Sequence, residues 1–138
     1  MGQALEAALI FNMMERKSAE GAIDVATPCQ LCINTDKYRG LWLRSAPIQI
    51  NNHTSWVSPM YLVNMLYSSL FAPSMIKVKE SGMPFIDSQA FSHFMFPALD
   101  IVASKNSTDG RIIIKVVNND CNHQHNICLL YTSPSPRD

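Results

Sequence analysis

A histidine set among amide and hydroxyl side chains, Asn52-His53-Thr54-Ser55-Trp56, closes an apolar run, and Ser58 follows two positions later. An exposed imidazole can take the proton of an attacking alcohol at neutral pH, which is general-base chemistry. Ser58 can offer such a base a hydrogen bond but no negative charge. Residues 46–50 alternate in the manner of a short strand, and Pro59 suits the first turn of a helix through Leu70. His53 is therefore expected just after a strand, one turn before that helix, partly exposed and facing an apolar cleft. The segment after it is apolar enough to lie beside an acyl chain.

Other ligand-type residues are scattered. Cys29 and Cys32 have the spacing of a redox or zinc half-site, and Cys121, His123 and His125 alternate like metal ligands. Completing four ligands in the second group requires Cys128, so the reading is that no metal binds. Asn52-His53-Thr54 and Asn106-Ser107-Thr108 both fit the glycosylation pattern. A glycan on the first would block His53.

Composition narrows the classes. The chain has 138 residues, and 47% hydrophobic content is enough to build the core of one domain. Eleven basic and eleven acidic residues cancel, which leaves no electrostatic footprint for nucleic acid. The longest apolar stretch, residues 60–73, is interrupted by Asn64, Ser68 and Ser69 and falls short of the ~20 residues that cross a bilayer. The N-terminus has no signal-peptide pattern, and its sixth position, Glu6, does not fit a myristoylation signal.

The elements that must position these residues follow from periodicity. Residues 3–16 repeat apolar positions at helical spacing through Leu5, Leu9 and Met13, and residues 18–28 read as a connection. Residues 38–43 read as a turn leading into the first strand. Residues 74–79 alternate as a second strand, and Ser81-Gly82 marks a turn. Residues 84–96 are expected to form a helix ended by Pro97, residues 99–103 a third strand, and residues 106–110 a loop. For residues 111–117 the β-branched run argues strand. Strand, helix, strand, helix, strand predicts an α/β fold with right-handed crossovers, a partial mixed or parallel sheet with flanking helices.

Residues 47–119 resemble the glycerolipid acyltransferase family. Asn52, His53, Ser55 and Trp56 match its Asn-His-x-Ser-x-x-Asp motif, with Ser58 at the position of the aspartate. Ala72-Pro73-Ser74-Met75-Ile76-Lys77 and Met83-Pro84-Phe85-Ile86 are similar to its next two blocks, with Asp87 where a glycine is usual. The run Ala98-Leu99-Asp100-Ile101-Val102-Ala103-Ser104 falls where the family has an apolar strand ending in Asp-Arg, with Lys105 beside it. The resemblance also places a helix at residues 111–117, and on that ground helix is the expectation there.

The resemblance implies transfer of a fatty acyl group from acyl-CoA to a lysophospholipid or an acylglycerol phosphate. His53 and Ser58 are then the catalytic positions, and Asn52, Ser55, Trp56, Lys77 and Lys105 meet substrate, the two lysines at phosphate. Acyl-CoA is a co-substrate and no cofactor is expected. A membrane surface is the implied partner, and the endoplasmic reticulum the implied location in a eukaryote. The alternative is a non-catalytic lipid-binding or interaction domain that keeps the fold. Three segments follow: an N-terminal helix and connection (1–46), the first part of an incomplete acyltransferase domain (47–127), and a tail (128–138). The tail resembles the translation of a transposase adaptor used in sequencing libraries, and is expected to lack packing against the domain.

Overall fold

The computed structural model describes residues 2–25, 31–37, 46–88 and 94–130. These residues form a mixed α/β arrangement of two helices and three small sheets.

The first helix, α1 (Gly2–Ala19), extends beyond the periodic run because of how it ends. Gly21 takes a φ of 75°, and the bonds Gly21 N–H to Ser18 O (2.9 Å) and Ala22 N–H to Lys17 O (3.0 Å) close a Schellman cap. Arg16 and Lys17 sit in the last turn, where cations complement the helix dipole.

The main sheet has the order β4-β7-β8, from β4 (Ser74–Ile76), β7 (Leu99–Lys105) and β8 (Ile112–Asn118). Both pairings are antiparallel, with Ile76 opposite Ala103 and Val102 opposite Lys115. Alternation puts Asp100, Val102 and Ser104 of β7 on one face with Ile113, Lys115 and Val117 of β8. That face packs on α1, and Val102, Ser104, Ile113, Val117, Ala7, Ala8 and Asn12 are buried. Complete burial of a Val or Ile contributes about 1.5–3 kcal/mol, so this layer dominates the core. The opposite face carries Ile76, Ile101, Ala103, Ile112, Ile114 and Val116.

Two expectations are corrected here. Residues 112–118 form a strand, not a helix, because a run of three isoleucines and two valines is costly in a helix and pairs well along β7. The loop of residues 106–111, with Gly110 at φ 71°, turns that strand back antiparallel. Within the span expected to be a helix, β5 (Phe85–Ser88) and β6 (Phe94–Pro97) pair antiparallel, Ile86 opposite Phe96. Aromatic and β-branched residues favour the pleated surface, and Pro97 lies at the strand end where its missing N–H matters least.

The crossover layout is not formed either. The third sheet has the order β1-β2-β3, from β1 (Cys32–Asn34), β2 (Ile48–Ile50) and β3 (Ser55–Val57). β1 and β2 are parallel, whereas β3 folds back antiparallel on β2 and occupies the edge that a crossover strand would need. The strands at residues 48–50 and 74–76 therefore lie in different sheets. As expected from Pro59, α2 (Pro59–Ser69) begins there, and it ends with the Leu70 N–H bonded to Leu66 O at 2.9 Å. The expected turn at residues 38–43 and the end of the connection at 26–28 lie outside the described residues.

Candidate functional site

Four residues, Asn51 to Thr54, form the turn between β2 and β3, and Asn51 organises it. Its Oδ1 accepts from the backbone N–H groups of His53 (2.8 Å) and Thr54 (2.6 Å), while its own N–H donates to Thr54 O at 2.9 Å. The Asn52 N–H donates to Asp36 Oδ2 at 2.9 Å, which ties the turn to the loop after β1. His53 is exposed at this tip, and β3 lies between it and α2. The expected position one turn before the helix is thus replaced by a hairpin position. An asparagine bonding to amides two residues ahead is a recognised turn signal in sequence, but nothing local points to Asp36.

Ser58 stands at the N-cap of α2 and is buried, and its hydroxyl has no hydrogen-bond partner among the described residues. No bond joins it to His53, so the arrangement in which residue 58 orients the imidazole is not made. Asn52 and Ser55 are exposed. Trp56 is half-exposed and donates its Nε1–H to Gln49 Oε1 at 3.1 Å.

Trp56 and Ser58 line a cavity of about 220 Å³ with Gln3, Gln49, Pro59 and Met60. Lys77 borders two others. One, of about 620 Å³, lies beside the C-terminal turn of α1 and includes Arg16, Glu80 and Asp100. The other, of about 520 Å³, follows the outer face of the main sheet along Ile101, Ile112 and Ile114. None of the three is lined by His53. Lys105 is exposed at the end of β7, opposite Ser74, and Lys77 follows the other end of β4, so the two lysines do not converge. A run of about three residues at ~3.3 Å each separates them.

The first residues of the tail border the outer-face groove without being buried in it. Cys128, Leu129 and Leu130 line it together with Ile127, and all four remain exposed. Leu130 is 93% exposed. Residues 131–138 lie outside the described residues.

A second titratable cluster follows β8. Asp120 Oδ2 lies 2.9 Å from His123 Nδ1 and 3.0 Å from His125 Nε2, and Oδ1 accepts from the Asn122 N–H at 3.0 Å. The Asn122 backbone bond, joined by those from the two rings, holds the Asp120 carboxyl down at about 2. Cys121 is exposed, and among the described residues no three His, Cys, Asp or Glu side chains are arranged to hold a metal ion. Cys32 is exposed in the structure, and Cys29 lies outside the described residues.

Among the described residues no helix is long and apolar enough to cross a membrane. No family model, no curated protein and no solved structure matches the chain.

Proposed function

We propose that the chain is part of an acyl-CoA-dependent acyltransferase domain that transfers a fatty acyl group to a lysophospholipid or an acylglycerol phosphate. The observation that carries this reading is the order of the blocks at Asn52–Trp56, Pro73–Lys77, Pro84–Ile86 and Leu99–Ser104 in one stretch of sequence. The acceptor hydroxyl attacks the thioester carbonyl while His53 takes its proton, the C–S bond breaks, and the proton passes to the departing thiolate. The exposed His53, on a turn tied down by Asn51 and Asp36, suits a base that meets its substrate at a surface.

Among the described residues no carboxylate is bonded to this imidazole. In a serine-protease triad, loss of the orienting carboxylate costs about ten-thousandfold, so on this reading the fragment is inactive as it stands. A membrane surface, in a eukaryote that of the endoplasmic reticulum, is where such a substrate resides. α2 has no charged residue and exposes Leu62, Met65 and Leu66 at helical spacing, which supports contact with lipid.

A second reading, lipid binding without chemistry, is favoured by the groove on the outer sheet face. It is apolar along Ile101, Ile112 and Ile114, and it has Lys77 and Lys79 at its border. Thiol release from acyl-CoA in the presence of lysophosphatidic acid separates the two readings. Acyl transfer predicts release once Ser58→Asp supplies a carboxylate at that position, and its loss when His53→Ala is added. Release at background in the native chain, in His53→Ala and also in Ser58→Asp, with vesicle binding intact, favours the lipid-binding reading instead.

A further inference from the structure

The two edges of the main sheet differ in length: β4 has three residues, whereas β8 has seven, from Ile112 to Asn118. The direction of the backbone groups along β8 follows from the pairs just beyond either end of its register with β7. The Asn106 N–H donates to Arg111 O at 2.9 Å, and the Asn119 N–H donates to Ala98 O at 2.7 Å. Antiparallel pairs alternate between bonded and non-bonded, so the odd-numbered residues of β8 turn N–H and C=O toward β7. Ile112, Ile114, Val116 and Asn118 therefore turn theirs to the open edge. Among the described residues no backbone bond from another segment reaches them, and residues 127–130, which border the outer face, make none to β8.

Sheet edges that stay unpaired in water are kept short, or carry proline, a bulge or free charges. β8 has no proline, and it pairs with β7 over its whole length without a bulge. Its one charged side chain, Lys115, is turned to the inner face and ion-paired with Glu15. The side chains beside the open backbone groups, Ile112, Ile114 and Val116, are exposed on the outer face. The edge therefore offers a second strand both a full row of backbone bonds and an apolar row to cover.

We propose that β8 pairs antiparallel with β8 of a second copy of this chain, about a twofold axis at Ile114, so that the two main sheets become one. This register sets Ile112 opposite Val116 of the second copy, with reciprocal N–H to C=O bonds, and the exposed apolar side chains meet one another. It sets Lys115 opposite Ile113 of the second copy, whereas an axis at Lys115 would place like charges face to face. α1 touches all three strands of its sheet and so lies centred near β7. At about 4.8 Å per strand the two β7 strands would be about 14 Å apart, which leaves room for two helices that pack at about 8–10 Å. The contact is the same patch on both copies and closes at a dimer. The proposal is independent of acyl transfer, since His53 lies on the turn of a different sheet.

Sedimentation equilibrium of the full chain over a concentration series is expected to show monomer and dimer in exchange. Amide hydrogen exchange read by NMR then locates the contact. Ile112, Ile114 and Val116 should gain protection as concentration rises, while Ile113, Lys115 and Val117, bonded to β7, are protected throughout. Ile114→Lys sets like charges across the axis and should weaken association by about tenfold or more. Ile114→Pro removes an N–H that the pairing with β7 does not use, and should abolish the dimer without unfolding the chain. A chain that is monomeric at every concentration overturns the proposal, as do open-ended aggregates in place of a dimer. So does a dimer that Ile114→Lys leaves at native strength, or whose edge amides stay unprotected, and both results stand even where Ile114→Pro fails to fold.

Discussion

Lys115 of β8 forms an ion pair with Glu15 of α1, across 100 residues of sequence. The ammonium also lies 4.5 Å from the centre of the Tyr67 ring, so one cation joins α1, α2 and the main sheet. The Tyr67 hydroxyl donates to Asn12 Oδ1 at 2.5 Å, and Asn12 Nδ2 donates to Asp100 O at 3.3 Å. Burial pushes the Tyr67 phenol above its ordinary range, reinforced by the carboxylates of Glu15 and Asp100. Arg16 adds two bonds to the Asp100 carboxylate, at 2.6 and 3.2 Å.

Removing one member of this largely buried pair strands the other. Glu15→Leu or Lys115→Met alone should destabilise the fold by about 3–5 kcal/mol. Glu15→Leu combined with Lys115→Met should cost less than the sum of the single changes, because no charge is then left unpaired. Urea denaturation of the four proteins measures the coupling, and strict additivity would show that the pair is not coupled.

The cap at the end of α1 makes a smaller, local prediction. Gly21→Ala places a Cβ in the left-handed region and should cost about 1–2 kcal/mol. No atom lies within 4 Å of the added Cβ, so the cost is conformational and not steric. A fall in the urea midpoint with an unchanged slope is the expected result.

Asp120 gives a pH dependence with a definite sign. Its folded carboxyl is held at about 2, below the ordinary aspartate value of 3.8, so the stabilisation is fully present above pH 4 and is lost as the pH falls through 2. A carboxyl ¹³C titration should place the midpoint near the lower value. Asp120→Asn should remove the dependence in that window, and a midpoint near 4 in the native chain would exclude the folded arrangement of the two rings around Asp120.

Membrane contact through α2 is tested at its exposed face. Leu66→Lys should reduce partitioning into phosphatidylcholine vesicles by about fivefold or more, since Leu66 is 50% exposed and burying that half is worth about 1 kcal/mol. Circular dichroism should be unchanged because the residue is exposed. Undiminished partitioning would exclude this face as the contact.

Local chemistry was enough to locate α1, α2, β7 and the loop after it. Apolar spacing, Pro59 and the polar run at residues 106–110 act on immediate neighbours, and those signals are in the sequence itself. The β-branched run at 112–118 was also legible as a strand, and the helix expectation failed because it came from resemblance and not from those residues. The hairpin of β5 and β6, by contrast, was decided by pairing: partial helical spacing competed with aromatic strand residues, and only the facing strand settled which backbone bonds formed. The candidate site divides in the same way. His53 could be singled out by type and its turn by Asn51, but the hairpin that separates it from α2, the tie to Asp36 and the unpartnered Ser58 hydroxyl depend on tertiary contacts. The Glu15–Lys115 pair has no local signature at all. Its partners meet only because α1 lies on one face of a sheet built from the other end of the chain, where partial exclusion of water strengthens the attraction between the two charges and adds a desolvation cost to it.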